Sequence, residues 1–203
     1  AYLMKRGISR KVIEACVRAG ILYESADYHN AVFVGKDETG TARYAFLRGT
    51  YTKGKPFKAE ISGSEKQYCF CLPPKGKTNR LAVYEAAIET LAHLTLEGSA
   101  DKWRLSLGGI SAPKDGEPSR SFSFKKPLAL ESFLGRHPEI EELEICTNND
   151  FAGRWAATCL EKAYQGRYRI VKNLPEKEGC DYADLTKERY EKQAARQRAT
   201  CSR

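Results

Sequence analysis

The chain changes its grammar at Pro73-Pro74-Lys75-Gly76-Lys77, and the pattern beyond that break leaves few folds open. Short apolar runs now alternate with stretches of helical spacing. Residues 81–84 read as a strand. Residues 85–96 continue with apolar positions at Ala86, Ala87, Leu91 and Leu94. A strand at 104–107 ends on Gly108-Gly109, and a helix at 128–134 stops at Gly135. Then come a strand at 143–146, a helix at 153–164, a strand at 168–171 and a final helix from Tyr182 onward. Strands alternating with helices imply βα units and a mainly parallel sheet. Ligands of such sheets sit at the carboxyl ends of the strands.

The residues before the break are patterned differently. Ser9 suits an N-cap for a helix at 10–19, with Val12, Ile13, Cys16 and Val17 on its apolar face and Gly20 at C′. Residues 31–35 and 42–47 are strand-like and flank the turn Lys36-Asp37-Glu38-Thr39-Gly40, which predicts a hairpin. Residues 50–58 read as a polar loop and 67–72 as another short strand. The fold class expected is therefore α/β. A small α+β domain spans 1–77, an α/β domain with a mainly parallel sheet spans 78–186, and a basic helical tail spans 187–203.

Charge supports this division. The net charge is +8. Residues 1–77 carry 14 Lys and Arg against 7 acids, and residues 187–203 carry 6 against 2. The stretch between them is acidic, with 14 against 17. A basic front and tail around an acidic centre suit a protein that grips polyphosphate and gathers cations at one site. Seven cysteines without zinc-type spacing, and only three histidines, argue against a structural zinc and for reduced thiols in the cytoplasm. No apolar stretch approaches the ~20 residues a membrane span needs. The opening residues lack the apolar core of a signal peptide. The opening Ala1, without an initiator Met, suits a fragment of a longer protein.

The acids fall at strand ends. The strand at 81–84 leads into Glu85, with Glu89 one turn on. The strand at 143–146 leads into Asn148, Asn149 and Asp150, and the last strand leads past a loop to Asp181 and Asp184. Carboxylates brought together at one sheet edge repel each other unless a cation shares them. Oxygen ligands without histidine point to Mg²⁺ or Mn²⁺. The competing reading is that Glu85, Glu89 and Asp150 simply cap helices.

Three ordered motifs in this half carry a resemblance. Leu81-Ala82-Val83-Tyr84-Glu85-Ala86-Ala87-Ile88-Glu89 resembles the opening of the Toprim domain of primases and topoisomerases. Cys146-Thr147-Asn148-Asn149-Asp150-Phe151-Ala152-Gly153-Arg154 is similar to the Asp-x-Asp-x-Ala-Gly turn of bacterial primases. Gly179-Cys180-Asp181-Tyr182-Ala183-Asp184-Leu185 is similar to a late acidic segment of the same family. Ahead of them, Tyr2-Leu3-Met4-Lys5-Arg6-Gly7-Ile8-Ser9 resembles a phrase that precedes Toprim in primase-like proteins. The segments 31–35, 47–50 and 63–66 are similar to an uncharacterised domain of plasmid and conjugative-element proteins. The resemblance implies a Rossmann-like Toprim fold. It implies Glu85 as the proton-transfer residue, and Mg²⁺ (or Mn²⁺) held by Glu85, Asn148, Asp150, Asp181 and Asp184. Asn148 departs from the pattern, since an acid is expected there, and Glu89 replaces the usual Asp.

Arg48, Lys53 and Lys66 stand in polar Gly-containing segments and are candidate phosphate contacts on DNA or RNA. Tyr44, Phe46, Tyr68 and Phe70 alternate along strand-like runs, where they either stack bases or fill the core. Two functions are therefore expected to compete. One is a Mg²⁺-dependent primase-like nucleotidyltransferase or nuclease of a bacterial mobile element, working beside replication or mobilisation proteins. The other is a catalytically weak DNA-binding accessory protein with a degenerate Toprim site. A dinucleotide enzyme fits less well, because no glycine fingerprint comes after the first βα strand.

Overall fold

Ser9 does cap a helix: its Oγ accepts the N–H of Val12 at 3.3 Å, at the start of α2 (Arg10–Arg18). Gly20 follows in the left-handed region at φ 62° and turns the chain into β1 (Leu22–Glu24). A short α1 (Tyr2–Lys5) precedes them. The expected hairpin is β2 (Ala31–Lys36) with β3 (Ala42–Arg48), paired Phe33 to Phe46 with a bulge at Gly35/Lys36. Lys58, expected to end a polar loop, instead opens β4 (Lys58–Glu60), which lies in register with β3 so that Arg48 faces Lys58. The result is an antiparallel sheet in the order β1-β2-β3-β4. The computed structural model describes residues 1–51, 54, 56–113 and 123–201.

The strand expected at 67–72 is mostly absent. Lys66–Tyr68 forms a 3₁₀ turn, and only β5 (Cys71–Leu72) is extended. The turn lies hard against β2. A Cβ on Gly35 would come within 1.6 Å of the Tyr68 carbonyl oxygen, so glycine alone allows this approach. The contact carries the chain from the first sheet to the second. Although β5 precedes the Pro73–Lys77 break, it pairs antiparallel with β7 (Trp103–Ser106) at the edge of the second sheet.

That second sheet has the order β5-β7-β6-β8-β9, with β6 (Arg80–Tyr84), β8 (Glu142–Ile145) and β9 (Arg169–Lys172). Apart from β5, every neighbouring pair is parallel. Between these strands run α3 (Ala87–Glu97), α4 (Leu128–Arg136) and α5 (Phe151–Tyr164), and α6 (Tyr182–Cys201) closes the chain. Helix α3 begins two residues later than its apolar spacing suggested, because Glu85 lies in a bend and Ala86 is extended as the N-cap. Helix α4 runs through Gly135 to Arg136. This α/β class agrees with the expectation. No helix among the described residues is long and apolar enough to cross a membrane.

One apolar cluster spans both sheets. Leu3, Ile8 and Phe33 meet Phe70, Leu72, Ala82, Tyr84, Leu91 and Tyr182, all of them buried. Phe33 and Phe70 pack edge to face at 5.4 Å. Gly7, at φ 82°, lets the chain after α1 press against the Thr186 carbonyl of α6, where a Cβ would stand 2.3 Å away. The front sheet is thereby seated over the carboxyl ends of the parallel strands. The chain leaves β6 through α3 toward β7, and leaves β7 through α4 toward β8 on the opposite side. The ends of β6 and β8 therefore form a topological switch point, where α/β sheets bind ligands.

Candidate metal centre and the cleft around it

Glu85 follows β6 and the segment Cys146-Thr147-Asn148 follows β8, so the switch point brings them together. The backbone N–H of Asn148 donates to Glu85 Oε1 at 3.0 Å. Asp181 enters from the loop before α6. These three side chains, with buried Glu89, line one wall of a cavity of about 330 Å³. The opposite wall is the front sheet, which presents Tyr44, Phe46 and Arg48 of β3, Phe33 of β2 and Lys58 of β4. Ser106, Gly108 and Gly109 close one end.

The carboxylates bear the marks of enforced crowding. Burial raises the Glu85 pKa, and the nearby Asp150 and Asp181 charges raise it further, against the opposing effect of the Asn148 N–H. Burial likewise raises Asp181, with the Asp184 charge adding and Arg6 opposing. Glu89 is raised well above the ordinary carboxylate range by burial, then by Asp181 and Glu85. A low-dielectric cluster of like charges favours any partner that supplies positive charge.

Each acid also has a local structural task. Glu89 Oε2 accepts the N–H groups of Glu85 at 3.1 Å and Ala86 at 3.2 Å, capping α3 from its third residue. Asp150 Oδ1 accepts the Gly153 N–H at 2.7 Å and caps α5. Asp181 Oδ1 accepts the Asp184 N–H at 2.7 Å, while Asp184 Oδ2 accepts the Asp181 N–H at 3.4 Å. Gly153 has to be glycine, because a Cβ there would lie 2.0 Å from the Asn148 carbonyl oxygen.

Asn148 is the exception. Its side-chain Oδ1 is buried and has no hydrogen-bond partner. A buried amide oxygen left unmatched is costly, of order 1–3 kcal/mol, and Asn148 lines the cavity together with Glu85 and Asp181. Such a set of hard oxygen atoms fits a Mg²⁺- or Mn²⁺-sized cation.

Of the residues singled out from sequence, Glu85, Glu89, Asn148, Asp181 and Arg48 meet at the cavity. Asp150 and Asp184 do not line it. Asp150 is exposed at the α5 cap, where its charge still reaches Glu85, and Asp184 turns toward Arg6 at 3.6 Å. Lys66 is exposed and pairs with Glu60 at 3.5 Å, away from the cavity. Lys53 lies outside the described residues. The four aromatics divide: Tyr44 and Phe46 line the cavity, Phe70 is core, and Tyr68 sits under the Arg136 guanidinium at 5.0 Å. Sequence reasoning missed Lys58 and Arg6. Lys58 belongs to a three-residue strand too short to show periodicity, and Arg6 acts across 178 residues of sequence.

A second group of metal-type ligands, His93, Glu144 and Cys146, is buried behind the cavity. Its atoms are already committed. Glu144 takes Lys102 Nζ at 2.6 Å and Asn173 Nδ2 at 2.6 Å, and His93 Nδ1 meets the Tyr84 hydroxyl at 2.8 Å. With an ammonium in contact, Glu144 has little to offer a cation.

Comparison with known proteins supports the architecture. Residues 1–77 match the model of a protein family described as being of unknown function, DUF3991. No curated protein matches the chain. Among solved structures, the chain resembles the DnaG primase catalytic domain bound to single-stranded DNA at 20% identity and TM-score 0.55, covering 92% of this chain and 68% of that one. It resembles the Escherichia coli primase catalytic core at 19% identity and TM-score 0.55, over 92% and 67%. It resembles the primase fragment of the bacteriophage T7 primase-helicase at 19% identity and TM-score 0.56, over 97% and 73%. The fold is that of the primase catalytic core.

Proposed function

We propose that this chain is a Toprim-type, Mg²⁺-dependent nucleic-acid-processing protein with primase-like nucleotidyl transfer as its chemistry. One observation carries the reading: Asn148, whose buried Oδ1 is unpartnered, lines one cavity with Glu85 and Asp181, and Arg48 and Lys58 line the same cavity. Glu85 and Asp181, helped by the Asn148 amide oxygen, would hold the cation, which when bound neutralises phosphate charge and polarises the reacting oxygen. Arg48 and Lys58 would take phosphate oxygens on the opposite side. Phe46 and Tyr44 would offer a face for a base. Burial and neighbouring carboxylates raise the Glu85 pKa, the direction that suits a group that accepts and returns a proton. The reading takes residues 1–77 as a basic module over the site, 78–186 as the Toprim-like domain and 187–203 as a basic tail. It also takes the chain to act in the bacterial cytoplasm, in a plasmid or conjugative element, beside replication or mobilisation proteins. That setting rests on the resemblance of the front segments alone.

A second reading is favoured by the uncharged Asn148 and by an Asp150 committed to its cap: a nucleic-acid-binding protein with a weakened metal site. Calorimetric titration of Mn²⁺ into the protein and its Asn148→Asp variant separates the two. The proposal expects the native protein to bind Mn²⁺, Asn148→Asp to tighten binding about tenfold by adding ligand charge, and Glu85→Gln to abolish primer synthesis on single-stranded DNA. Silence in the native titration with binding restored in Asn148→Asp, together with DNA affinity indifferent to chelator, would instead establish the binding-only reading.

A further inference from the structure

Each of the three site segments carries, beside its acid or amide, a side chain that turns the other way. Tyr84 precedes Glu85, Cys146 lies two residues before Asn148, and Tyr182 follows Asp181. All three are buried and converge on His93 of α3. The Tyr84 hydroxyl meets His93 Nδ1 at 2.8 Å. The Tyr182 ring stacks on the His93 ring at 3.9 Å and 22°, and Tyr84 meets Tyr182 edge-on at 6.1 Å. The Cys146 thiol lies within 4.8 Å of a His93 ring nitrogen and donates to Glu144 Oε1 at 3.7 Å. Tyr182 also donates to the Asn173 carbonyl at 2.8 Å, beyond the end of β9, and Asn173 Nδ2 donates to Glu144 of β8. The imidazole thus touches both the β6 segment, through Tyr84, and the α6 segment, through Tyr182.

We propose that His93 is a positioning residue: from behind the sheet it locks the Tyr84–Glu85, Cys146–Asn148 and Asp181–Tyr182 segments into one unit, and so sets the spacing of the cation-binding atoms. The inference deepens the proposed function and rests on it for its consequence, metal affinity. Its structural content is testable without metal. Three backbone amides report directly on the carboxylates, because Glu85 N–H donates to Glu89, Asn148 N–H to Glu85, and Asp184 N–H to Asp181. The His137 amide, donating to the Phe133 carbonyl at the end of α4, is remote from the cluster.

The experiment is residue-resolved amide hydrogen exchange on the metal-free protein, comparing native, His93→Phe and Tyr84→Phe. His93→Phe keeps a ring against Tyr182 but loses the hydrogen bond; Tyr84→Phe loses the same bond from the other side. Each variant is expected to speed exchange at Glu85, Asn148 and Asp184 by roughly tenfold while leaving His137 unchanged. Mn²⁺ affinity is expected to fall ~10-fold or more in either variant, as for other residues that orient metal ligands. Unchanged exchange at the three amides in whichever variant folds would overturn the positioning role. So would equal acceleration at His137, which marks a general loss of stability. A native protein that fails to bind Mn²⁺ would overturn the metal reading and leave the exchange result to decide the positioning role alone.

Discussion

Burial of His93 ties the stability of the fold to pH in a defined window. The ring is 4% exposed and stacked on Tyr182, and burial lowers its pKa from the ordinary 6.5 to about 4, against Glu97 and Glu144, which favour the charged form. An unfolded chain takes up the imidazole proton as pH drops below 6.5, whereas the folded chain resists until about pH 4. The unfolded state therefore binds more protons throughout that window, and stability is lost as pH falls through it. A separation of 6.5 from about 4, at 1.36 kcal/mol per pH unit, amounts to about 3 kcal/mol by pH 4. Glu85, Glu89 and Asp181 work in the opposite direction. Their raised pKa values make the folded chain hold protons longer than the unfolded one, so acidification relieves their repulsion. The His93 contribution is isolated by subtraction. Urea unfolding of native protein and His93→Gln at half-unit steps from pH 8 to pH 4 gives a stability difference in which the carboxylates cancel. That difference is expected to shift against the native protein by about 3 kcal/mol between pH 6.5 and pH 4, and to be level above pH 7.5. A difference curve that stays level across the window would refute the buried, neutral imidazole and the cluster built on it.

Other perturbations give separate tests. Asp150→Ala removes the α5 cap, and is expected to cost about 1 kcal/mol in chemical unfolding while weakening Mn²⁺ binding far less than Asp181→Ala; equal losses of metal affinity would put Asp150 among the ligands. Gly35→Ala drives a methyl group into the Tyr68 carbonyl, and a fall in stability of about 3 kcal/mol is expected in thermal or urea unfolding; a neutral outcome would mean the two sheets do not meet there. Arg48→Ala and Lys58→Ala are each expected to weaken single-stranded DNA binding and to reduce the slope of log affinity against log salt by ~1, whereas Lys66→Ala, held by Glu60 off the cavity, is expected to do neither.

The parallel sheet was legible because its strands are continuous apolar runs and its helices are capped or spaced in recognisable ways. The runs at 81–84 and 143–146 became β6 and β8 within one residue. The errors come from contacts distant in sequence. Residues 67–72 alternate like a strand, but Gln67 and Tyr68 are spent on a 3₁₀ turn that packs against Gly35 of β2, a contact 33 residues away that no local pattern encodes. Strand β4 was missed because three residues carry no period, and its existence depends on pairing with β3. The seam between the halves was also hidden. The Pro-rich break marks the start of the βα pattern, yet β5 before it joins the second sheet and Leu3 and Phe33 share a core with Tyr84.

The acidic site exposes a deeper ambiguity, since capping a helix and ligating a cation ask for the same residues in the same places. Both use a short oxygen-bearing side chain just beyond a strand end, aimed at the first turn of the next helix. From sequence, Glu85, Glu89, Asp150, Asp181 and Asp184 answer equally to either purpose. Hydrogen bonding divides them. Asp150 accepts the Gly153 N–H of α5 and Asp184 the Asp181 N–H ahead of α6, and neither lines the cavity. Glu89 gives one oxygen to two backbone N–H groups, and Asp181 gives one to a cap yet still faces the cavity. Only Asn148 Oδ1 is buried with nothing to accept. Asn148 looked like the weakest member of the motif because it lacks charge, yet its oxygen is the one that the proposed cation would satisfy. On the proposed metal reading that oxygen is kept for a cation, since an apolar side chain of similar size would otherwise relieve its desolvation.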